Sequence, residues 1–373
     1  MAEQKVSVRE LLEEMVKRGA SDLHITVGSP PVIRIDGKLQ RLPYDALTST
    51  TAKSMAYSIM TERQKQKFEE EWECDLSFGL EGLARFRVNI FLQRGNVAIA
   101  IRIIPVRILS FEELRLPPVL STFSDYPHGL VLVTGPTGSG KSTSLAAIID
   151  KVNRERYDHI LTVEDPIEFV HEHKNCIVNQ REVSADTLSF SRALKYALRE
   201  DPDVVLIGEM RDLDTVESAL IIAETGHLAF ATLHTNSCAE TINRIIDIFP
   251  TAQQQQVRVQ LSFVLRAVVT QALLPKIGGG RVPSLEVMII TPAIRAMIRE
   301  DKIHQIYSAL QAGGKYGMLT MNQSLSELYL KRLITIEEAM TRSPDPQELN
   351  DIIARTRSGV VGSTAGKRAA MRK

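Results

Sequence analysis

A glycine-rich stretch near the middle of the chain has the residue types and spacing needed to hold a nucleoside triphosphate. It reads Gly135-Pro136-Thr137-Gly138-Ser139-Gly140-Lys141-Ser142-Thr143, and its part from 135 to 142 matches G-x-x-x-x-G-K-[ST]. In this pattern glycines let successive backbone N–H groups converge on phosphate oxygens, Lys141 reaches the β- and γ-phosphates, and Ser142 binds Mg²⁺. We therefore expect ATP and Mg²⁺ here; the plainer alternative is a glycine-rich turn that happens to hold a lysine.

The segments on either side of this stretch favour the phosphate-binding interpretation. An apolar strand is predicted over 130–134, directly before the glycines, and a helix is predicted over 142–153, directly after them. A strand, a glycine-rich turn and a helix N-terminus in this order direct the partial positive charge of the helix at a bound phosphate.

Two glutamates follow other apolar segments that are typical of buried strands. Glu209 comes shortly after the strand predicted over 203–207 and is our candidate for the second Mg²⁺-side residue, although aspartate is the usual acid there. Glu164 follows the strand predicted over 159–163 and is our candidate for the base that activates water. The alternative for Glu209 is a solvated glutamate at a strand end. The alternatives for the Glu164 segment are a solvated acidic turn or an Asp165 that caps a helix.

Two histidines flank a further strand, predicted over 228–232. His234 lies at its C-terminal end with Thr235, where we expect it to sense the γ-phosphate by hydrogen bonding. His227 lies at the other end, and a structural role is an equally good interpretation for it. No third ligand occurs at a spacing that suits a metal site.

A predicted β-hairpin near residue 95 carries a group of arginines. Strands over 84–93 and 97–104 flank Gly95-Asn96, so a two-residue turn would place Asn89 opposite Arg102 and leave Arg94 beside the turn. The arginines expected on one face of this hairpin are Arg85, Arg87 and Arg102. An arginine supplied to the γ-phosphate can accelerate hydrolysis by roughly 10³–10⁵. We expect Arg87 or Arg102 in this role, and Arg85 or Arg94 as further candidates; the alternative is a solvated basic face.

The elements around these residues indicate an α/β protein with two domains. Residues 1–104 are predicted as a small N-terminal α/β domain, with an amphipathic helix from Ser7 to about Arg18, a hairpin around Asp36-Gly37 and helical segments within 48–71. Residues 105–127, which contain Pro117-Pro118, are predicted as a linker.

From 128 to 357 the strands named above alternate with helical patterns at 142–153, 189–199 and 213–224, which is typical of a right-handed βαβ core with a mainly parallel sheet. Helices are then predicted over 253–274, 293–300, 303–312, 322–332 and 346–357. The last segment, 358–373, lacks periodicity and is predicted to be disordered.

Composition narrows the classes of partner. Among 373 residues, 45 Lys and Arg balance 45 Asp and Glu, so no overall charge attracts nucleic acid or anionic lipid. The N-terminus leads into a charged helix, no apolar run approaches the length of a membrane span, and the isolated Cys74, Cys176 and Cys238 form no CxxC pair. We therefore expect a cytoplasmic protein with reduced thiols and no nucleic-acid partner.

Four ordered motifs together resemble those of the secretion/pilus ATPase superfamily. The glycine-rich stretch, the segment 160–169, the strand end 208–212 and the segment 225–237 look like its Walker A, Asp-box, Walker B and His-box motifs. The segments 19–25 and 85–89 resemble its N-terminal domain. The resemblance implies a PAS-like N-terminal domain followed by a RecA-like ATPase domain with a C-terminal helical region.

Within that superfamily the chain is most similar to the retraction ATPases of type IV pili. The pilus-extension and type II secretion ATPases carry a longer N-terminal region and a tetracysteine zinc insertion, and we expect neither in this protein. Residues 293–300, AIRAMIRE, resemble the retraction-associated helix AIRNLIRE and depart from it at Ala296 and Met297. The expected function is therefore ATP hydrolysis that drives pilus retraction and twitching motility.

The resemblance also implies roles and partners. It makes Glu164 the catalytic base and Glu209 the Mg²⁺-side residue, and it implies a homo-hexameric ring in which the hairpin arginines act in trans on the neighbouring subunit. It places the protein at the cytoplasmic face of the inner membrane, with a polytopic pilus platform protein as partner. Two other functions compete: an accessory paralogue that assists a main retraction ATPase, and a nucleic-acid translocase, which the neutral charge disfavours.

Overall fold

The computed structural model describes residues 6–35, 37–105 and 107–357. Asp36 of the first predicted hairpin and the predicted disordered tail, 358–373, lie outside the described residues. The chain forms two compact units: the first comprises residues up to Arg107 together with Pro166–His171, and the second comprises Ile108–Asp165 and the residues from Glu172 onward.

The first unit is built on an antiparallel sheet with the strand order β3-β2-β1-β6-β5-β4. Its elements in chain order are α1 (Val8–Lys17), β1 (Asp22–Ile25), β2 (Val32–Ile35), β3 (Lys38–Arg41), α2 (Ser49–Ser58), α3 (Glu62–Glu71), β4 (Glu73–Leu80), β5 (Ala84–Gln93) and β6 (Asn96–Ile104). The predicted first helix is confirmed: Ser7 and Glu10 form a reciprocal capping box at its start. Leu11 and Met15 of α1 are buried in the core of this unit.

The strands β5 and β6 are joined by a different turn from the one predicted. Gln93 pairs with Asn96, so the two turn residues are Arg94 and Gly95, with φ values of 50° and 74°. Positive φ at both positions defines a type I′ turn, in which glycine is favoured at the second position. The predicted turn Gly95-Asn96, with glycine first, was therefore wrong.

This turn changes which residues face each other across the hairpin. Arg87 pairs directly with Arg102, whereas Asn89, which was predicted there, pairs with Ala100. Because side chains alternate with a period of two, a shift from 89 to 87 leaves Arg85, Arg87 and Arg102 on the same face of the sheet.

The second unit contains a sheet with the order β13-β12-β7-β11-β10-β8-β9, parallel from β12 to β9 and antiparallel between β12 and β13. Its strands are β7 (Gly129–Thr134), β8 (His159–Glu164), β9 (Ile177–Glu182), β10 (Val204–Ile207), β11 (Leu228–Leu233), β12 (Leu265–Pro275) and β13 (Arg281–Ile289). Its helices include α4 (Lys141–Glu155), α5 (Phe190–Ala197), α6 (Leu213–Glu224), α7 (Cys238–Asp247), α8 (Thr251–Val264), α9 (Pro292–Arg299), α10 (Ile306–Ala312), α11 (Met321–Leu330) and α12 (Ile336–Arg342), and 346–357 is helical. The predicted alternation of strands and helices is thus present.

Most of the predicted linker is part of the second unit. A 3₁₀ helix covers Pro118–Asp125, and Leu116, Leu120 and Phe123 are buried in the core beneath the sheet. This segment also packs against α4.

The helix predicted over 253–274 was wrong in its second half. The helix α8 ends at Val264, and the strand β12 begins at the next residue, Leu265. β12 pairs with a strand on each side and most of its residues are buried, so it lacks the two-residue alternation that distinguishes a half-exposed strand from a helix. The β-branched run Val268-Val269-Thr270 was the signal for a strand. Among the described residues, no helix is both long and apolar enough to cross a membrane.

Candidate active site

The glycine-rich stretch forms the turn between β7 and α4, as predicted. The helix begins at Lys141, and Gly140 before it has a φ of 88° and provides no side-chain cap. The first backbone N–H groups of α4 therefore have no capping side chain, and such a helix N-terminus suits an anion. A Cβ atom at Gly135 would lie 2.2 Å from the backbone oxygen of Gln271, so only glycine fits there.

The remaining loop residues differ in exposure. Pro136, Thr137 and Gly138 are exposed, as is Ser142 on the first turn of α4, whereas Thr143 is half-buried. The hydroxyl oxygen of Ser139 is buried and has no hydrogen-bond partner within the described part of the chain.

Lys141 lies inside the loop rather than in solvent. Its Nζ donates hydrogen bonds to the carbonyl oxygens of Gly135 at 2.7 Å and Pro136 at 3.2 Å, and its residue exposure is 8%. Burial lowers the pKa of Lys141, and the nearby carboxylate of Glu209 acts in the opposite direction. The Lys141 ammonium group is therefore bound only by neutral carbonyl oxygens within the loop. A bound anion would replace them with a partner of opposite charge.

His234 connects Lys141 with Glu209. Its Nδ1 lies 3.5 Å from Lys141 Nζ, and its Nε2 lies 3.0 Å from Glu209 Oε1. An ammonium group can only donate, so Nδ1 accepts and Nε2 carries the proton that is donated to the carboxylate. A single neutral tautomer satisfies both contacts.

Glu209 is held from its other side by Arg211. A guanidinium nitrogen of Arg211 lies 2.7 Å from Glu209 Oε2. Burial would raise the pKa of Glu209, but the hydrogen bond and charge of Arg211, together with the hydrogen bond from His234, outweigh it and lower the pKa below its ordinary value. The pKa of Arg211 is raised, first by its hydrogen bond to Glu209 and also by the charge of Asp165.

Glu164 is the last residue of β8 and is 7% exposed. Its Oε1 accepts hydrogen bonds from the hydroxyl of Thr162 at 2.7 Å and from Nε2 of Gln180 on β9 at 3.3 Å. These contacts fix the carboxylate at the C-terminal edge of the sheet, where ligands of open α/β folds bind.

Short backbone contacts hold the strand ends together at this edge. The Gly208 N–H donates to the carbonyl of Val163 at 2.8 Å, and the Met210 N–H donates to the carbonyl of Thr232 at 3.0 Å. The Thr232 hydroxyl donates to the carbonyl of Gly208 at 2.5 Å. Glu164, Glu209 and His234 therefore come from the ends of β8, β10 and β11, which lie side by side.

The other predicted histidine and the arginines lie elsewhere. His227 is at the opposite end of β11, where its Nδ1 contacts the Thr225 hydroxyl at 3.0 Å and the Ile222 carbonyl at 3.1 Å, which is a structural position beside the end of α6. Arg87 and Arg102 belong to the first unit. Arg102 donates to Asp22 at 2.8 Å, whereas the exposed Arg87 side chain makes no hydrogen bond or ion pair within the described residues.

The other two hairpin arginines differ from this pair. Arg85 donates to the Ser77 hydroxyl at 2.8 Å, and Arg94 is exposed in the turn.

Gln271 on β12 was not among the predicted site residues, and it donates from Nε2 to the carbonyl of Ser139 at 2.8 Å. It was missed because this segment was predicted as helix. The partners Arg211 and Gln180 were also not identified; Arg211 lies two residues after Glu209, and this spacing was the available signal for it.

The residues fit a metal that is held together with a nucleotide. Among the described residues no group of three or more His, Cys, Asp and Glu could hold a metal ion by itself. Mg²⁺ is usually bound by one or two protein oxygens together with phosphates and water, and the exposed hydroxyl of Ser142 and the carboxylate of Glu209 are oxygen donors of that kind.

Known proteins share this architecture. The family described as type II/IV secretion system protein matches residues 3–279. The chain is 53% identical to the type IV pilus retraction ATPase PilT of Pseudomonas aeruginosa, over 92% of this chain and 99% of that protein. It is 40% identical to the type IV pilus ATPase PilU of the same organism, over 92% and 90% of the two chains.

A crystal structure of the pilus retraction motor PilT with bound ADP matches 93% of this chain and 99% of that chain with a TM-score of 0.88 and 52% identity. The motifs at the sheet edge, the fold and these similarities agree, and the chain belongs to the type II/IV secretion system protein family.

Proposed function

We propose that this protein is a motor ATPase that hydrolyses ATP to power type IV pilus retraction and twitching motility. The observation that carries the proposal is the connected set Lys141, His234 and Glu209 at the end of a phosphate-binding loop. The identity of 53% with a pilus retraction ATPase over 92% of the chain supports the biological role.

Nucleotide binding follows from the loop itself. The N–H groups around Gly138 and Gly140 and the N-terminus of α4 bind the phosphates, while Lys141 exchanges the carbonyl oxygens of Gly135 and Pro136 for the β- and γ-phosphate oxygens. Ser142 and Glu209 would hold Mg²⁺, which neutralises charge on the phosphate oxygens when bound. Thr143 completes the first turn of the helix beside them.

Glu164 is the general base of the proposed reaction. Its carboxylate takes a proton from the attacking water, the water oxygen bonds to the γ-phosphorus, and the bond to the β,γ-bridging oxygen breaks to give ADP and phosphate. His234 reports on the γ-phosphate, because its neutral ring already joins Lys141 to Glu209 and must change partners when the γ-phosphate arrives or leaves.

The assembly is proposed as a homo-hexamer at the cytoplasmic face of the inner membrane, acting on a pilus platform protein and without nucleic acid. Arg87 or Arg102 of one subunit supplies positive charge to the γ-phosphate bound by its neighbour, with Arg85 and Arg94 as further candidates. The guanidinium of Arg87 is exposed and has no partner among the described residues, which favours it for this role.

A second candidate function is that of an accessory paralogue that assists a main retraction ATPase. The 40% identity with the type IV pilus ATPase PilU is the observation that favours this second function. The intact loop and both glutamates favour a self-sufficient motor.

Replacement in the organism that makes the protein tests these functions. Cells that carry Lys141→Ala should assemble pili that no longer retract, measured by imaging labelled pili, whereas Lys195→Ala, a lysine exposed on α5, should retract normally. Unchanged retraction with Lys141→Ala would contradict the motor assignment. A defect that appears only under high load would favour the accessory function.

A further inference from the structure

Gln271 on β12 is buried against the phosphate-binding loop and uses both ends of its side-chain amide there. Its residue exposure is 3%. Nε2 donates to the carbonyl oxygen of Ser139 at 2.8 Å, and Oε1 accepts from the hydroxyl of Ser144 at 2.8 Å. One side chain therefore connects the last residues of the loop with the first turn of α4.

The contact with Ser139 fixes the direction of a peptide group. In a trans peptide the C=O of one residue and the N–H of the next point in opposite directions. Because Gln271 holds the Ser139 carbonyl toward β12, the N–H of Gly140 is turned away from β12. A phosphate-binding loop needs N–H groups that converge on the phosphate, and this contact sets the direction of one of them.

Two glycines of the loop pack closely against Gln271. A Cβ atom at Gly140 would lie 2.9 Å from Gln271 Nε2, and one at Gly135 would lie 2.2 Å from the Gln271 backbone oxygen. At Gly135 the obstacle is backbone, so glycine is required there, whereas a side chain at Gly140 would have to displace the Gln271 amide that holds Ser139.

We propose that Gln271 is a positioning residue for phosphate binding, acting through the Ser139–Gly140 peptide. The proposal rests on the nucleotide site proposed above. Gln271 itself touches no phosphate, so its effect is on the direction of a donor. ATP, ADP and the transition state all use that donor, and its loss should weaken binding of all three to a similar extent.

The variant Gln271→Met tests this, since it keeps the length of the side chain and removes both hydrogen bonds. We expect the Kd for ADP, measured by calorimetry on the full-length protein, and the KM for ATP each to rise about tenfold, with kcat within about threefold of wild type. A purely structural role would lower the melting temperature without separating KM from kcat in this way.

Ser324→Ala provides the matched control. The Ser324 hydroxyl accepts from the backbone N–H of Leu285, the residue paired with Gln271, and from the Ser284 hydroxyl, both at 3.0 Å. It should lower stability but leave the Kd for ADP unchanged. Equal weakening of ADP binding by both variants would overturn the proposal, because general loosening of the strands would then explain it.

Two further results distinguish failure of the Gln271 proposal from failure of the proposed nucleotide site. If wild type binds ADP and Gln271→Met binds it equally well, the positioning role is wrong and the nucleotide site stands. If wild type binds no ADP, the proposed function itself fails. If Gln271→Met does not fold, Gln271→Asn takes its place, since it shortens the side chain by one methylene and moves the amide away from Ser139. The same changes in Kd, KM and kcat are then expected.

Discussion

At the scale of single residues, the site is a row of four side chains, each in contact with the next. Lys141, His234, Glu209 and Arg211 contact one another in that order, so each charged group has a partner before any ligand binds. This arrangement keeps Glu209 ionised in a half-buried position, where burial alone would favour its protonated form.

The pH dependence of catalysis should follow from this pairing. Arg211 lowers the pKa of Glu209, so the carboxylate and the stability it confers persist above the ordinary carboxyl pKa and are lost only as pH falls through the lowered value. Arg211→Ala should raise that pKa and move the acid limb of the kcat/KM profile to higher pH, measured by steady-state ATP turnover across pH.

Arg211→Lys is the comparison for that experiment. It keeps a positive charge near Glu209, so its acid limb should lie between those of wild type and Arg211→Ala. Identical acid limbs for all three proteins would show that Glu209 does not limit activity at low pH.

At the scale of elements, the edge of the sheet is close-packed where β8 and β10 end. A Cβ atom at Gly208 would lie 3.1 Å from Glu164 Cα and 3.2 Å from the Val163 carbonyl oxygen, and neither of these backbone atoms can rotate away. The distance between the ends of these two strands, and with it the position of Glu164, depends on this glycine.

Gly208→Ala should therefore lower kcat by about tenfold, since small misplacements of a catalytic group are costly. ADP affinity should change little, because the loop after β7 is untouched. Gly79→Ala, at a strand glycine of the first unit with nothing within 4 Å of the new Cβ, should leave both unchanged. A kcat for Gly208→Ala equal to that of wild type would show that the strand ends tolerate the methyl group.

The strands that deliver the site could be predicted from sequence because each is a short apolar run followed by a polar or glycine-rich segment. That pattern identified β7, β8, β10 and β11 and the residues at their ends. It failed at β12, where the strand follows a helix without an intervening turn, and Gln271 was therefore not identified as a site residue. The contact of Gln180 with Glu164 depends on which strands are neighbours in the sheet, and the contact of Arg211 with Glu209 depends on how the chain turns after its strand. Neither can be deduced from a short stretch of sequence.

At the scale of the whole molecule, the proposed ring divides one active site between two subunits. The loop and both glutamates belong to the second unit, whereas the hairpin with Arg87 and Arg102 belongs to the first. If the arginines act in trans, each P-loop depends on a neighbour, and activity requires assembly.

Mixing two inactive variants tests this division. Lys141→Ala and the double variant Arg87→Ala/Arg102→Ala should each have little ATPase activity. A mixed ring contains interfaces that join an intact loop to intact arginines, so equal mixing should restore roughly a quarter of wild-type turnover. Loss of the Arg102–Asp22 ion pair should cost little stability, because the Arg102 side chain is exposed and the buried Asp22 keeps the Ser21 hydroxyl and Arg34 as partners. No recovery in rings shown to be mixed would place the arginines in cis or outside the mechanism.

The most direct measurement of the central claim is ATP turnover by purified wild type and Glu164→Gln, with ATP affinity measured on the same samples. We predict that wild type hydrolyses ATP and that Glu164→Gln binds ATP with unchanged affinity while its kcat falls by about 10²–10⁴. A Glu164→Gln protein that turns over ATP at the wild-type rate would contradict the account.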